Sequence, residues 1–212
     1  MNNKSKSSNV KVNLNRAHPP KMPPLEGTIV NYHMHHSGEI FSDLIRPRPI
    51  DVWLPEGYES QPGEYYPVIY MHDGQFLFHQ GRSPFAGMDF MFWDVDKVIM
   101  QLVRAGEIRP AIVVSIWMAD WNKGARGAEY MPQKSVTEEV LETMRQAGPG
   151  SSMGGFVGEE GGDIISSDNY LKFLVEELKP FIDETYRTLP DREDTFVMGS
   201  SMGGLLSAYA LA

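Results

Sequence analysis

Four residues of strand character, Thr195-Phe196-Val197-Met198, run straight into Gly199-Ser200-Ser201-Met202-Gly203-Gly204, and that hexapeptide runs into the helix-forming stretch 205–212. A strand, a turn of small residues and a helix in immediate succession leave a chain few options. The strand must lie in a sheet and the helix must pack back across it. A reversal that sharp needs positions without a Cβ. Ser201 falls at the apex, with its hydroxyl lifted above the strand end. An ordinary βα turn built of small residues is the other reading of the same hexapeptide.

The pattern G-x-S-x-G also occurs earlier, as Gly150-Ser151-Ser152-Met153-Gly154. That copy follows Ala147-Gly148-Pro149 and precedes a stretch rich in Gly and Glu, so it has neither a strand before it nor a helix after it. Ser152 is therefore read as a loop residue, within a Gly-rich loop over 148–162.

The rest of the sequence alternates between strand and helix signals. Residues 28–35 and 50–54 read as short strands by alternation and β-branched or aromatic content. Residues 67–71 and 111–117 are continuous apolar runs, the mark of strands buried on both faces. Helical spacing predicts a helix over 93–105, ended by Gly106. A second helix is predicted over 136–147, with Ser135 as N-cap and Glu138 as its capping-box partner. A third, strongly amphipathic one is predicted over 168–185, capped by Ser166 or Ser167 and kinked at Pro180. This alternation predicts an α/β fold with a mainly parallel sheet and flanking helices, the early strands supplying an antiparallel edge.

Composition narrows the function. The net charge is −9, and cysteine is absent from the chain. The acidic balance argues against nucleic acid as partner. The missing thiols exclude a cysteine nucleophile, a thiolate metal site and any disulfide. Residues 1–24 carry Lys4, Lys6, Lys11, Arg16 and Lys21 with no acid, and read as a polar, flexible leader ahead of one domain over 25–212. They hold no apolar core of a secretory signal, and no apolar run approaches the length of a membrane span, so a cytoplasmic protein is expected. His33 and His35 would share one strand face. No carboxylate set accompanies them, and neither a metal nor another cofactor is expected.

A serine nucleophile needs backbone N–H groups aimed at the charge that develops on the substrate carbonyl. One belongs to the residue after the serine, here Met202; the other is expected from the turn after the 67–71 strand, His72-Asp73-Gly74-Gln75. Gly74 would let the backbone approach a substrate, which makes the N–H of Gly74 or Gln75 the second donor. A plain turn with Asp and Gly in their usual roles is the alternative.

Five ordered segments carry a resemblance: Val68 through Gln75, Gly106 through Val114, Arg126-Gly127-Ala128-Glu129-Tyr130-Met131-Pro132, Tyr170 through Ile182, and Gly199 through Gly204. Together they resemble the enterochelin-esterase-like branch of the α/β-hydrolases, from about residue 50 onward. The resemblance implies an α/β-hydrolase fold and a metal-free serine esterase. Ser201 would be the nucleophile, with Met202 and the Gly74/Gln75 region as oxyanion donors. His72, Asp73, Arg126 and Glu129 would fall near the pocket, the last two equally readable as a structural ion pair. Phe76, and the 148–162 stretch as an insertion, depart from the pattern. The implied substrate is a siderophore ester, a carbohydrate-borne acyl group or a small acyl ester.

The acid and histidine of such a triad follow the serine in sequence. Residues 202–212 contain no Asp, Glu or His. The acid, the base and the last strands are therefore expected beyond residue 212, and the 212-residue chain alone is expected to be inactive. A non-catalytic binding protein and an acyltransferase on the same scaffold are the alternative functions; phosphate binding at 199–204 is disfavoured for want of a P-loop lysine.

Overall fold

The computed structural model describes residues 24–34, 40, 42–78, 83, 91–119, 125–147 and 165–211. Five strands, β1 (Thr28–His33), β2 (Pro49–Leu54), β3 (Val68–Met71), β4 (Ile112–Ile116) and β5 (Thr195–Met198), form one sheet in the order β1-β2-β4-β3-β5. β3 runs parallel to both β4 and β5, while β2 runs antiparallel to β1 and β4. Every strand except β2 therefore points the same way, which gives the mostly parallel α/β sheet with the antiparallel pairing at its early edge.

The middle strands β2, β4 and β3 are buried at almost every position, as strands covered on both faces are. All five residues of β4 are buried. Alternation divides them: Ile112, Val114 and Ile116 join one cluster and Val113 the other. The first cluster also takes Val68 and Tyr70 of β3, together with Tyr170, Phe173, Leu178 and Ile182. The second takes Met71 of β3 and Trp53 of β2 beneath helix α1 (Val95–Arg104), which presents Val95, Ile99 and Met100. α1 ends as predicted at Gly106, whose φ is +72°. Gly106 N–H bonds to the Val103 carbonyl and Glu107 N–H to that of Leu102, the reciprocal pattern a left-handed glycine permits.

Helix α2 (Ala125–Tyr130) follows β4, and α3 (Glu138–Ala147) comes next. The predicted cap of α3 is corrected. Ser135 closes a 3-10 turn, Gln133–Ser135, and gives its hydroxyl to the Pro132 carbonyl at 2.8 Å. Thr137 caps the helix instead, its Oγ1 accepting from Val140 N–H at 3.3 Å. The predicted 168–185 helix is present but in three pieces: α4 (Ser167–Lys172), a π-helical stretch Phe173–Leu178, and α5 (Lys179–Thr185). The disturbance lies ahead of Pro180 rather than at it, with Lys179 N–H bonding to the Leu174 carbonyl five residues back. Pro180, which has no N–H to donate, falls in the first turn of α5, where a proline is tolerated. Neither Ser166 nor Ser167 caps α4 with its side chain; Ser167 Oγ accepts from Gln133 N–H at 3.0 Å. Helix α6 (Met202–Tyr209) starts directly after the turn at Ser201, three residues earlier than the sequence suggests. The leader up to residue 23, the 148–162 loop with Ser152, and His35 and His36 lie outside the described residues.

Candidate active site

Ser201 stands between β5 and α6 with φ 55° and ψ −121°, a conformation that costs a non-glycine residue about 1–3 kcal/mol. Its neighbours explain how the turn holds. A Cβ on Gly199 would lie 2.6 Å from the Gly203 carbonyl carbon, and one on Gly204 3.2 Å from the Gly199 carbonyl oxygen. Only glycine allows the strand end and the first helical turn to approach so closely. Gly203 N–H bonds to the Ser200 carbonyl at 2.9 Å and Leu205 N–H to that of Ser201 at 3.1 Å. The exposed Ser201 side chain does not cap α6, although it occupies the capping position.

Register sets what faces this serine. Met71 of β3 pairs with Met198 of β5, and His72 N–H bonds to the Met198 carbonyl at 3.0 Å. The two strands end at one level, so the turns that follow them stand side by side. A Cβ on Gly203 would meet His72 Cβ at 3.3 Å and Asp73 Oδ2 at 3.4 Å. The expected donors stand on these neighbouring turns: Met202 opens α6, and Gly74 and Gln75 open the 3-10 turn Gly74–Phe76. First amides of a helical turn have no acceptor within it, which leaves them available to an outside anion.

Each residue of the 72–75 turn is held from a different direction. His72 is fully buried, and its Nδ1 shares a 2.9 Å hydrogen bond with the Tyr170 hydroxyl. Burial, and then the Arg126 charge, push its pKa down to about 4, so it is neutral at pH 7. Asp73 is 1% exposed in the left-handed region, φ 58° and ψ 42°. Its carboxylate takes two bonds from Arg126, from Nε at 2.7 Å and Nη2 at 2.8 Å, and its N–H donates to the Tyr130 hydroxyl at 3.2 Å. The Gly74 carbonyl accepts from Ser115 Oγ at 3.1 Å. Gly74 is required for a reason other than substrate approach: a Cβ there would lie 2.5 Å from Ser115 Oγ and 2.8 Å from the Ile116 carbonyl carbon. Gln75 Oε1 accepts from Met118 N–H at 3.1 Å, and its carbonyl accepts from Ser83 Oγ at 3.0 Å.

Arg126 and Glu129 do not pair with each other. Glu129 grips Arg48 in a buried, bidentate ion pair, with Arg48 Nη1 to Glu129 Oε2 at 2.7 Å and Nη2 bonded to Oε1. Burial works against the Arg48 charge, but Glu129 together with Tyr170 and Tyr130 supports it, and the net displacement of its pKa is upward. Arg48 Cζ also lies 5.4 Å from the centroid of the Tyr170 ring. Burial raises the pKa of both Tyr130 and Tyr170, which keeps them protonated. Arg48, Tyr130 and Tyr170 were not singled out from sequence as parts of the site. Tyr170 reads as one more member of an apolar stripe, and Arg48 lies in a Pro-punctuated stretch without periodicity. Among the described residues no group of three or more His, Asp or Glu could hold a metal ion, and no helix is long and apolar enough to cross a membrane.

The profile of the family described as Putative esterase matches residues 42–158 and 159–212. Among solved structures, the chain is similar to an IroE-like serine hydrolase from Shewanella oneidensis, with TM-score 0.55 and 22% identity over 87% of this chain and 46% of that one. It is also similar to the BES protein from Bacillus cereus, with TM-score 0.51 and 20% identity over 88% and 58%. For ferric enterobactin esterase from Salmonella typhimurium the values are 0.50 and 17% over 91% and 34%. The chain thus spans about half the length of these structures, or less. A search of curated protein sequences gives no match. The shared architecture is the α/β-hydrolase fold, and by the extent of the family match this chain belongs to the Putative esterase family.

Proposed function

We propose that the complete protein is a serine esterase that hydrolyses a carboxylic ester through an acyl-enzyme on Ser201. The observation that carries this reading is the exposed serine at φ 55° and ψ −121°, set beside a turn that supplies first amides. Ser201 Oγ attacks the ester carbonyl carbon as its proton passes to a histidine. The carbonyl π electrons move onto oxygen, and the N–H groups of Met202 and of Gly74 or Gln75 stabilise that oxyanion. Collapse of the intermediate breaks the bond to the alcohol, which leaves with the proton. Water then repeats the sequence to free the acid and Ser201.

The histidine and its acid belong, on this reading, to residues that follow position 212, in the serine–acid–histidine order of the fold. His72 does not take the part of base, because its ring is buried and turned to Tyr170. The substrate is a small-molecule, siderophore or carbohydrate-borne ester, and the acidic net charge of −9 disfavours nucleic acid. We place the reaction in the cytoplasm, which cell fractionation would check.

Protein expressed from the complete reading frame should react with a fluorophosphonate probe at Ser201 and hydrolyse p-nitrophenyl acetate. Ser201→Ala should abolish labelling and lower kcat by at least about 10⁴-fold. A folded wild-type protein that is not labelled, or turnover that survives S201A, would sink the proposal.

A further inference from the structure

We infer that Asp73, clamped by Arg126, is a positioning residue that sets the spacing between the two halves of the oxyanion site; the inference rests on the esterase reading above. Asp73 immediately precedes the amides of Gly74 and Gln75, so its backbone conformation decides where those amides point. That conformation is left-handed, which a short polar residue tolerates but does not enforce. An aspartate there could bond its own turn, yet this carboxylate makes no such cap. It turns outward to α2, where Arg126 binds both of its oxygens at 2.7 and 2.8 Å. Tyr130, one helical turn along α2, meets the Asp73 N–H at 3.2 Å. Two residues on one face of α2 thus fix both the side chain and the backbone of Asp73. Arg126 Cζ lies 5.2 Å from the Tyr130 ring centroid, so the two hold each other as well.

The opposite side of the carboxylate faces the serine turn. A Cβ on Gly203 would lie 3.4 Å from Asp73 Oδ2, so the carboxylate that Arg126 grips borders the start of α6. One buried group therefore lies next to both donors: it belongs to the turn that carries Gly74 and Gln75, and it borders Gly203 in the helix that begins with Met202. α2 can serve as a brace because it is itself anchored. Glu129 is locked to Arg48, and the Ala128 carbonyl accepts from Ser166 N–H at 2.9 Å. An arginine beside an active site could instead bind an anionic substrate. Here Nε and Nη2 are both committed to Asp73, which favours the positioning role.

The test uses protein from the complete reading frame, with Asp73→Asn, Arg126→Lys and the double variant, assayed on p-nitrophenyl acetate. Asparagine tolerates the left-handed region, and lysine keeps the charge but loses the two-pronged geometry. In each folded variant, checked by thermal unfolding, kcat should fall about 100-fold through misplacement of the donors, with KM changed by no more than about threefold. The double variant should be no worse than the poorer single one, as expected for two halves of one contact. Unchanged kcat in a folded variant would reduce the pair to a structural role and overturn the inference. A raised KM at unchanged kcat would also overturn it, by placing Arg126 on the substrate. Wild-type protein without Ser201-dependent turnover would instead bring down the esterase reading, and the clamp with it.

Discussion

At the scale of single residues, conformational strain and burial concentrate around the serine. Among the described residues only Asp73, Asp94 and Ser201 combine a side chain with positive φ, and two of the three flank the proposed oxyanion site. His72, next to Asp73, is the clearest titrating group. Its pKa in the folded protein is about 4, against an ordinary value of about 6.5. Between those limits the unfolded chain takes up a proton that the folded protein refuses. Its contribution is therefore complete above about pH 6.5 and is lost as pH falls towards 4, amounting to about 3 kcal/mol over the window. Chemical denaturation across this range should show that acid limb in wild type, and His72→Gln should flatten it. An equally steep limb in H72Q would show that other groups cause it.

At the scale of elements, α2 does more than its six residues suggest. It carries Arg126 and Tyr130 to the 72–75 turn and Glu129 to Arg48, and thereby joins the early loop to the site. A buried ion pair is costly to break from one side, because the remaining charge has no water to return to. Glu129→Gln should therefore lower stability by about 3–5 kcal/mol, whereas Arg48→Met combined with Glu129→Leu should recover most of that loss. Urea unfolding of the three proteins decides the matter; a double variant as unstable as the single one would contradict the argument. Apolar spacing makes the helices over 93–105 and 168–185 legible, since it reflects burial against the sheet, whereas α2, six residues long, has no such signal and is not read from the sequence. Ser135 and Thr137 both carry a capping hydroxyl, and the 3-10 turn Gln133–Ser135 leaves Thr137 at the helix start. Similarly, Pro180 announces a disturbance, but the π-helical register lies ahead of it, at Phe173–Leu178, where Phe173, Leu174 and Leu178 are buried.

At the scale of the whole molecule, the described sheet has one apolar side open. β5 pairs with β3 alone among the described strands, and Phe196, Met198 and Leu205 are each about half exposed there. An unpaired strand edge beside apolar side chains invites association. The 212-residue chain expressed alone should self-associate in a concentration-dependent way, and Phe196→Lys should weaken this; sedimentation velocity would read both, and a monomer at all concentrations would refute the expectation. The sequence by itself determined the alternation of elements, the mostly parallel sheet and the tight strand–turn–helix at Ser201, because periodicity and turn composition are local consequences of steric rules. What the tertiary structure alone decided is the company Ser201 keeps. The β3–β5 register sets His72 and Asp73 against Gly203, the contact with β4 explains Gly74, and Arg126 and Glu129 take separate partners far away in the chain. Such pairings depend on which surfaces remain to be satisfied once the sheet has assembled, and no spacing along the chain records them.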